Sequence, residues 1–378
     1  MKIRTITTGF NAELPLDRNN MQQLVVATLR IREMFERDGF VVQTVRMATQ
    51  PWEQYSPHVE RLGEAAVEME KLLHPEGIDY FSLGATHKAH HVPGLYDIIK
   101  STRTAFVTAA VSHNRRLDRR CALQSARLIK RLSRIGGDGF ANLRFAAGFN
   151  ILPGTPFFPA AFHRGPPAFA LGLENSDLVY EAFSGAADLE QAGIRLEDGM
   201  NRECRVLEKK ARAAAARLNL EYGGIDVSIA PSVKRHQSVA FAFEQLGLGR
   251  FGEPGTLCIA ELITDVLGRL KVKTCGYRGL MLPVLEDFGL ARRNREGHLD
   301  VTSLLAYSAV CGTGLDTIPL SGRVSERALH ALLLDIAALS NRLNKPLSAR
   351  LMPIPGKKTG DLTEFSFPYF ANTCIMSL

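Results

Sequence analysis

Ile3-Arg4-Thr5-Ile6-Thr7-Thr8-Gly9-Phe10 is rich in isoleucine and threonine, which predicts a β-strand at the start of the sequence. Apolar residues at helical spacing follow over 20–37, and Gly39 ends the predicted helix. A second strand is expected over 40–47 and a second helix over 59–73. Strands that alternate with helices indicate a largely parallel sheet covered by helices, which is the α/β class.

The alternation continues along the rest of the chain. No internal repeat, low-complexity tract or clear domain boundary interrupts it, so we expect one α/β domain over residues 1–378. Further strands are expected over 78–83, 104–111, 141–149, 169–173, 225–230 and 348–352, and further helices over 205–218, 238–246, 257–267 and 325–343.

The composition is typical of a soluble globular protein, with 46% apolar and 22% charged residues among 378. No run approaches 18 uninterrupted apolar residues, so neither a transmembrane helix nor a membrane partner is expected. The six cysteines form no CxxC pair, which excludes the common zinc and redox spacings. Free thiols in a reducing compartment, the cytoplasm, are the expectation.

Much of the formal net charge of +7 lies between His113 and Arg134, where a basic amphipathic helix is predicted. Such a helix either meets an anionic partner or presents a solvated face. No aromatic residue interleaves with these charges to stack on bases, so the sequence does not favour nucleic acid as a partner. No coiled-coil pattern predicts an interface, and a homo-oligomer is expected only because such assemblies are common.

A thiol and a carboxylate lie close together in Cys311-Gly312-Thr313-Gly314-Leu315-Asp316, after the apolar run 304–310. If that run is helical, a glycine caps it and Cys311 is a buried structural thiol. If the segment is instead a tight loop at a cavity, Cys311 is a candidate nucleophile. Gly312 and Gly314 would then let the backbone approach a substrate closely.

Three further carboxylates lie within or directly after apolar strand-like segments. Glu286 and Asp287 would serve as general acid and base or as metal ligands, or else begin a helix. Asp226 and Ser228 share one face of the predicted strand 225–230. They would line a site, with Ser232 beyond the strand, or form a buried hydrogen-bonded pair.

The aromatic segment 156–162 leads to His163, which is either a packed, hydrogen-bonded residue or a catalyst. His87, His90 and His91 have no nearby carboxylate or thiol in the sequence, which favours a surface loop over a metal site. Arg350 precedes a basic loop, 355–361, in which Lys358 would hold a carboxylate or phosphate. Neither a P-loop nor a GxGxxG fingerprint is present.

In combination these segments resemble domain-of-unknown-function family 711, also known as uncharacterised protein family 0210. The resemblance implies a fold like that of the pyruvate formate-lyase group, an α/β barrel of ten strands with helices outside and a loop inside. Cys311 would take the place of the inner-loop cysteine of that group. The residues that carry the resemblance are 3–7, 156–163, 226–231, 238–240, 255–256, 283–287, Cys311 with 314–316, Arg350 and 358–361.

The chain departs from the glycyl radical pattern of that group, which places Arg-Val-small-Gly-aromatic near the C-terminus. The nearest match, Thr274-Cys275-Gly276-Tyr277, precedes Cys311 and lacks the Arg-Val, and residues 370–374 contain no glycine. The fold is therefore expected without the radical chemistry, since a fold does not fix a function.

The sequence leads to the hypothesis of an enzyme that acts on a small anionic metabolite in a barrel cavity, by acyl transfer, lysis or hydrolysis. The alternatives are a metabolite-binding or regulatory protein without chemistry, and a metal-assisted hydrolase. No motif requires a cofactor, and a divalent metal is compatible with the carboxylates. Catalytic roles are predicted for Cys311, Asp316, His163, Asp226, Glu286 and Asp287, and substrate-binding roles for Arg350, Lys358, Ser228, Ser232, Gly312 and Gly314.

Overall fold

The computed structural model describes residues 1–56 and 59–378, which form a mixed β-sheet and its covering helices. The strands are β1 (Lys2–Phe10), β2 (Val45–Thr49), β3 (Tyr80–Thr86), β4 (Ala105–His113), β5 (Arg116–Leu117), β6 (Phe145–Phe149), β7 (Ala168–Glu174), β8 (Glu221–Asp226), β9 (Gly314–Ser321) and β10 (Leu347–Ile354). The helices are α1 (Arg18–Arg37), α2 (Val59–Leu73), α3 (Leu95–Ser101), α4 (Arg119–Leu132), α5 (Ser176–Phe183), α6 (Leu189–Leu218), α7 (Val239–Glu244), α8 (Thr256–Arg269), α9 (Phe288–Arg295), α10 (Val301–Val310) and α11 (Glu326–Leu343).

The strands follow the order β8-β7-β1-β2-β3-β4-β6-β10-β9, and β5 pairs with β4. The central strands β1, β2, β3, β4 and β6 run parallel to one another. β7 and β10 flank them in the antiparallel direction, and each has a parallel outer neighbour, β8 and β9. The predicted α/β class is therefore confirmed, with a sheet in which strands of two directions form separate blocks.

One segment contacts both outer strands of this order. Thr274 and Leu280 form parallel bridges with Ile225 and Ile229, on the β8 side. A few residues later, the Val284 amide donates to the carbonyl of Asp316 in β9, 3.3 Å away. Segment 273–284 thus lies along β8 and reaches β9.

Alternating residues of β1 show how the two faces of the sheet are covered. Thr8 accepts a hydrogen bond from the buried Thr28 hydroxyl of α1 at 2.8 Å, so its face is covered by helices. Thr7 points to the opposite face, because successive side chains of a strand alternate. There its hydroxyl donates to the carbonyl of Pro156 at 2.8 Å.

Residues 150–167, here called the inner loop, cover that second face. The hydroxyls of Thr108 in β4 and Ser82 in β3 donate to the carbonyls of Pro159 and Ala161, at 2.8 and 2.7 Å. Buried carbonyls need such partners, since an unpaired one costs roughly the free energy of a lost hydrogen bond. Hydroxyls on the strands therefore fix the inner loop against the sheet.

Most element boundaries lie within a few residues of the predictions, but α6 begins at Leu189 and not near 205, β8 covers Glu221–Asp226 and not 225–230, and β9 was not predicted. Two further strands also differ. The strand expected over 40–47 is β2 at Val45–Thr49, preceded by a single bridge at Val42. The first residues of the strand expected over 141–149 belong instead to a 3-10 helix, Phe140–Arg144, that precedes β6. The predicted basic helix is α4. Among the helices of the described residues, none is long and apolar enough to cross a membrane.

Candidate functional site

A cavity of about 300 Å³ lies on the inner-loop side of the sheet. Its size is at the lower end of the range for small-molecule sites. The charged and hydroxyl-bearing residues that line it are Arg4, Thr44, Arg46, Asp79, Tyr80, Arg103, Arg144, Tyr277, Glu286, Thr313, Asp316, Ser348, Arg350 and Tyr369. Aromatic and aliphatic side chains from the inner loop, 277–283 and the C-terminal segment complete the wall.

One side of the cavity is an alternating chain of arginines and carboxylates. Arg4 on β1 donates to Glu286 Oε2 at 2.5 Å, and Arg350 on β10 donates to Glu286 Oε1 at 2.7 Å. Arg350 also forms two hydrogen bonds with Asp316, at 2.5 and 2.9 Å. At the other end, Arg4 and Lys2 both pair with Glu174. We call Lys2, Arg4, Glu174, Glu286, Asp316 and Arg350 the ionic network; its three cations balance its three carboxylates.

A β-bulge places Asp316 against Arg350. Leu315 pairs with Ala349 and Ile318 with Leu351, so two residues of β9 lie opposite Arg350 alone. The second of them, Thr317, has a φ of 43°, which is rare for a β-branched residue. The bulge thus directs the Asp316 carboxylate into the cavity at the cost of local backbone strain.

Arg46 on β2 is a cavity arginine outside the ionic network. Its Nε donates to the Thr44 hydroxyl at 3.0 Å, and its guanidinium lies 5.1 Å and 5.5 Å from the ring centroids of Phe158 and Tyr80. It forms no ion pair with any carboxylate in the described part of the chain. Burial and the nearby charge of Arg4 lower the pKa of Arg46 to about 10, so it stays positively charged at neutral pH.

Arg144, although it also lines the cavity, is already engaged. Its Nη atoms donate to the carbonyls of Ile99, Thr102 and Ala105, at 2.5, 2.9 and 3.3 Å. Two of these carbonyls belong to the C-terminal end of α3 and its cap. Arg144 therefore satisfies orphan helix carbonyls and has fewer donors left for a ligand than Arg46.

Thr313 supplies an unused hydroxyl at the start of β9. Its side chain lines the cavity and is 3% exposed, yet its Oγ1 has no hydrogen-bond partner among residues 1–56 and 59–378. The Thr313 carbonyl accepts from the Ser348 amide at 2.8 Å, which fixes the backbone there. A buried hydroxyl without a partner is costly, so a ligand that hydrogen-bonds to it would gain affinity.

Of the residues predicted to form a site, the structure brings Glu286, Asp316 and Arg350 together on the cavity wall. Cys311 does not line the cavity. It ends α10, is 1% exposed, and its thiol donates to the Tyr307 carbonyl at 2.9 Å. Burial raises the pKa of the Cys311 thiol to about 12, which disfavours the thiolate that a nucleophile needs.

The two glycines beside Cys311 are enclosed by protein atoms. A Cβ on Gly312 would lie 2.5 Å from Lys345 Cε. Gly314 has a φ of 91°, and a Cβ there would lie 2.1 Å from the Ser348 carbonyl oxygen. Gly314 therefore needs glycine, because its neighbour is backbone, whereas at Gly312 the mobile end of Lys345 would have to shift. Neither glycine lines the cavity.

Asp226 forms the buried hydrogen-bonded pair that the sequence left as one alternative. It accepts from the Ser228 hydroxyl at 2.6 Å and from the amides of Ser228, Tyr277 and Arg278. Burial raises its pKa, although these hydrogen bonds oppose the shift. Through Tyr277 and Arg278, Asp226 fixes the turn that carries Tyr277 to the cavity.

Asp287 is the N-cap of α9, which is the helix-start alternative. It accepts from the Leu290 amide within α9 and from the Ser238 hydroxyl and Val239 amide at the start of α7. Burial raises the pKa of Asp287 to about 6. This carboxylate thus joins two helix N-termini and does not line the cavity.

The remaining predicted residues also lie outside the cavity lining. His163 packs against Gly9 with its Nε2 2.8 Å from the Gly165 carbonyl, and burial lowers its pKa. Ser232 donates to Gln237 at 3.2 Å, and Lys358 is exposed. In the described ranges no group of three or more His, Cys, Asp or Glu side chains is placed to hold a metal ion.

The roles of Arg46 and Thr313 at the cavity were not predicted from the sequence, and Arg4 was noted only as part of a family signature. One signal was available for Arg46. It stands in Val45-Arg46-Met47-Ala48, an apolar strand, and a charge in a strand covered on both faces needs a partner or a cavity.

Comparisons with known proteins agree with the resemblance seen in the sequence. The family described as "Uncharacterised ACR (DUF711)" matches residues 1–366. A UPF0210 protein of Pyrobaculum arsenaticum is 31% identical, over 98% of this chain and 88% of its own. UPF0210 proteins of Pyrobaculum islandicum and Acetivibrio thermocellus are 32% and 26% identical, over 98% and 97% of this chain and 88% of their own lengths. None of these names states an activity.

Proposed function

We propose that this chain, which belongs to the DUF711 family, is an enzyme that binds a small anionic metabolite in the cavity beside the inner loop. The ionic network would carry the chemistry, and Arg46 would hold the anion. The reaction would be an acyl transfer, a lysis or a hydrolysis, as expected from the sequence.

The observation that carries the proposal is the unpaired charge of Arg46. The cations of the ionic network are balanced by its carboxylates. Within the described residues, Arg46 hydrogen-bonds to a hydroxyl and lies over two rings, and the carboxylates of Asp79 and Glu286 act on it only from beyond ion-pair distance. Burial lowers the pKa of Arg46 because it removes water from the charged guanidinium. An anionic ligand would stabilise the charged form by taking the place of that water. Guanidinium groups bind carboxylates and phosphates through two parallel hydrogen bonds.

Asp316 would transfer the proton in this scheme. Its side chain is 16% exposed, against 8% for Glu286, so it is the more accessible carboxylate of the pair. Arg350 holds it through two hydrogen bonds, which fixes the direction of its free lone pairs. The Thr313 hydroxyl, three positions earlier, would donate to an oxygen of the substrate. Cys311 has no part in the scheme, because its thiol is buried outside the cavity.

A pyruvate formate-lyase-like barrel is part of the proposal for the fold. Three features support it: a central block of parallel strands flanked on each side by two strands of the opposite direction, segment 273–284 in contact with both β8 and β9, and the inner loop against one face of the sheet. A crystal structure in which solvent separates β8 from β9 would refute the barrel.

The cytoplasm is the proposed site of action. All six cysteines are free, and three of them, Cys121, Cys204 and Cys311, are buried thiols. Such a set of unpaired thiols is typical of a reducing compartment.

A non-catalytic metabolite-binding protein is the second candidate. It is favoured by the full engagement of Glu286, whose two oxygens each accept from an arginine. Carboxylates held in this way build a rigid wall equally well without chemistry. The two candidates predict the same binding and differ only in turnover.

The test compares consumption and binding of small anions. The wild type, Asp316→Asn and the control Asp335→Asn, an exposed residue of α11, are incubated with a metabolite extract and analysed by mass spectrometry. The enzyme proposal expects an anion that the wild type and the control consume and Asp316→Asn does not. Stabilisation by an anion without consumption would favour the binding protein. Neither consumption nor stabilisation would overturn both candidates.

A further inference from the structure

The unpaired arginine of the cavity lies on an aromatic surface. Tyr80, Phe106 and Phe158, here called the aromatic triad, come from β3, β4 and the inner loop. The Phe106 ring centroid lies 5.3 Å from those of both Tyr80 and Phe158. The Arg46 guanidinium lies over the rings of Tyr80 and Phe158. A group bound at Arg46 therefore has aromatic carbon beside it.

Apolar side chains extend this surface around the cavity. Phe157, Tyr277 and Met281 pack together in one buried cluster and all line the cavity. Near the C-terminal segment, Phe140 contacts the Phe367 ring with centroids 5.2 Å apart, and both line the cavity. Most of the wall outside the ionic network is thus aromatic or aliphatic.

The charge balance limits how many anionic groups a ligand can place in the cavity. The ionic network is neutral in sum, and the donors of Arg144 are largely taken by backbone carbonyls. Arg103 is exposed. The Asp79 carboxylate also lines the cavity, where it accepts from the Val45 amide at 2.8 Å and attracts Arg46 from beyond ion-pair distance. Among the arginines of the described lining, Arg46 is thus the half-buried one that is left to hydrogen-bond an anion. A second buried anionic group would lack a partner, which is strongly unfavourable.

We propose that the ligand of this cavity is a carboxylate with one charge and an aromatic or arylalkyl body. Its carboxylate is bound by Arg46, and its ring packs on the aromatic triad. The inference rests on the proposed function and deepens it, since it names the chemical class of the anion. Sugar phosphates and tricarboxylates do not fit, because their further polar groups would be buried against rings without partners.

The test uses four probes that separate the charge from the ring. These are 3-phenylpropionate, its uncharged amide 3-phenylpropanamide, propionate and inorganic phosphate, each titrated against the whole chain by calorimetry and thermal unfolding. We expect 3-phenylpropionate to bind and to raise the unfolding temperature. The amide tests the contribution of the charge, and propionate tests the contribution of the ring. Each should bind about tenfold or more weakly than 3-phenylpropionate.

Variants assign the binding to Arg46. Arg46→Met keeps an unbranched apolar side chain and should abolish the preference for the acid over the amide. The control Arg205→Met replaces an exposed arginine of α6 and should keep that preference. If Arg46→Met does not fold, Phe106→Leu serves instead, and should weaken 3-phenylpropionate without changing propionate. The acid-to-amide comparison in the wild type needs no variant.

The possible failures are distinguishable. If phosphate or propionate binds as tightly as 3-phenylpropionate and Arg46→Met abolishes that binding, the aromatic class is overturned and the anion site stands. If the acid and the amide bind equally, Arg46 does not recognise the charge and the inference is overturned. If no probe binds and no anion of a metabolite extract stabilises the protein, the proposed function fails with it.

Discussion

Asp316 and Arg350 lie opposite each other at the bulge between β9 and β10, and two hydrogen bonds join them, Nε to Oδ1 at 2.5 Å and Nη2 to Oδ2 at 2.9 Å. The same Nη2 also donates to Glu286 at 2.7 Å. Arg350 is 8% exposed. One buried guanidinium thus forms hydrogen bonds with two carboxylates. The geometry of this wall of the cavity therefore depends on Arg350.

Replacement of Arg350 should be the most destabilising single change in the ionic network. Arg350→Met would leave Asp316 without its cation and Glu286 with Arg4 alone, at a cost of about 3–5 kcal/mol in the free energy of unfolding. Urea unfolding at neutral pH measures this. Arg205→Met, on the exposed face of α6, should change the free energy of unfolding by about 0.5 kcal/mol or less. Equal effects of both variants would show that the network contributes no net stability.

The packing of the inner loop against β1 requires glycine at position 9. A Cβ on Gly9 would lie 2.3 Å from Nδ1 and 2.7 Å from Cγ of His163, closer than real Cβ contacts. Gly9→Ala should therefore displace His163 and destabilise the protein by about 1–3 kcal/mol, as overpacked cores do. Gly199→Ala is the matched control. Gly199 lies inside α6 with nothing within 4 Å of the new Cβ, so this variant should stabilise by about 0.5–1 kcal/mol. The same sign for both variants in thermal unfolding would refute the close packing at Gly9.

Cysteine alkylation separates the structural from the catalytic interpretation of Cys311. The thiol is 1% exposed and its pKa is raised to about 12 by burial, so iodoacetamide should label it only after unfolding. Cys258, which is exposed on α8, should be labelled in the native protein and serves as the internal reference. Peptide mass spectrometry over a pH series gives both rates. Native labelling of Cys311 at the rate of Cys258 or faster would restore the thiol as a candidate nucleophile.

The fold was more predictable from the sequence than the site, for reasons that single residues illustrate. The α/β class follows from local periodicity, which each strand and helix carries within itself. Asp316 was identified because a carboxylate soon after two glycines is locally unusual, and Arg350 because it precedes a basic loop. Their pairing depends on the β9–β10 register, which no local pattern encodes.

Asp226 and Asp287 show why some residues predicted for the site have a structural role instead. A carboxylate at the end of an apolar strand has the same local sequence whether it faces a substrate or accepts backbone amides, and both of these accept backbone amides. Arg46 is the converse case, because the absence of an ion pair is a property of the folded neighbourhood. Sequence patterns therefore indicate which groups are chemically capable, and only the tertiary contacts show which groups are still free.

The buried carboxylate of Asp287 should make stability depend on pH in a direction opposite to that of a salt-bridged acid. Burial raises its pKa from 3.8 to about 6, despite the hydrogen bonds from Ser238, Leu290 and Val239. Its contribution to stability is then fully present below about pH 4 and is lost as the pH rises through about 6. The total change is on the order of 2–3 kcal/mol, since each unit of pKa corresponds to about 1.4 kcal/mol. Asp287→Asn should remove this part of the pH dependence.

Asp300→Asn alters the exposed N-cap of α10 and controls for the loss of a capping carboxylate. Urea unfolding at pH 4, 5, 6 and 7 (about one unit apart, to span the shifted pKa) compares the slopes. The prediction is wrong if the free energy of unfolding changes with pH equally in the wild type, Asp287→Asn and Asp300→Asn. The hydrogen bonds to Asp287 would then outweigh the effect of its burial.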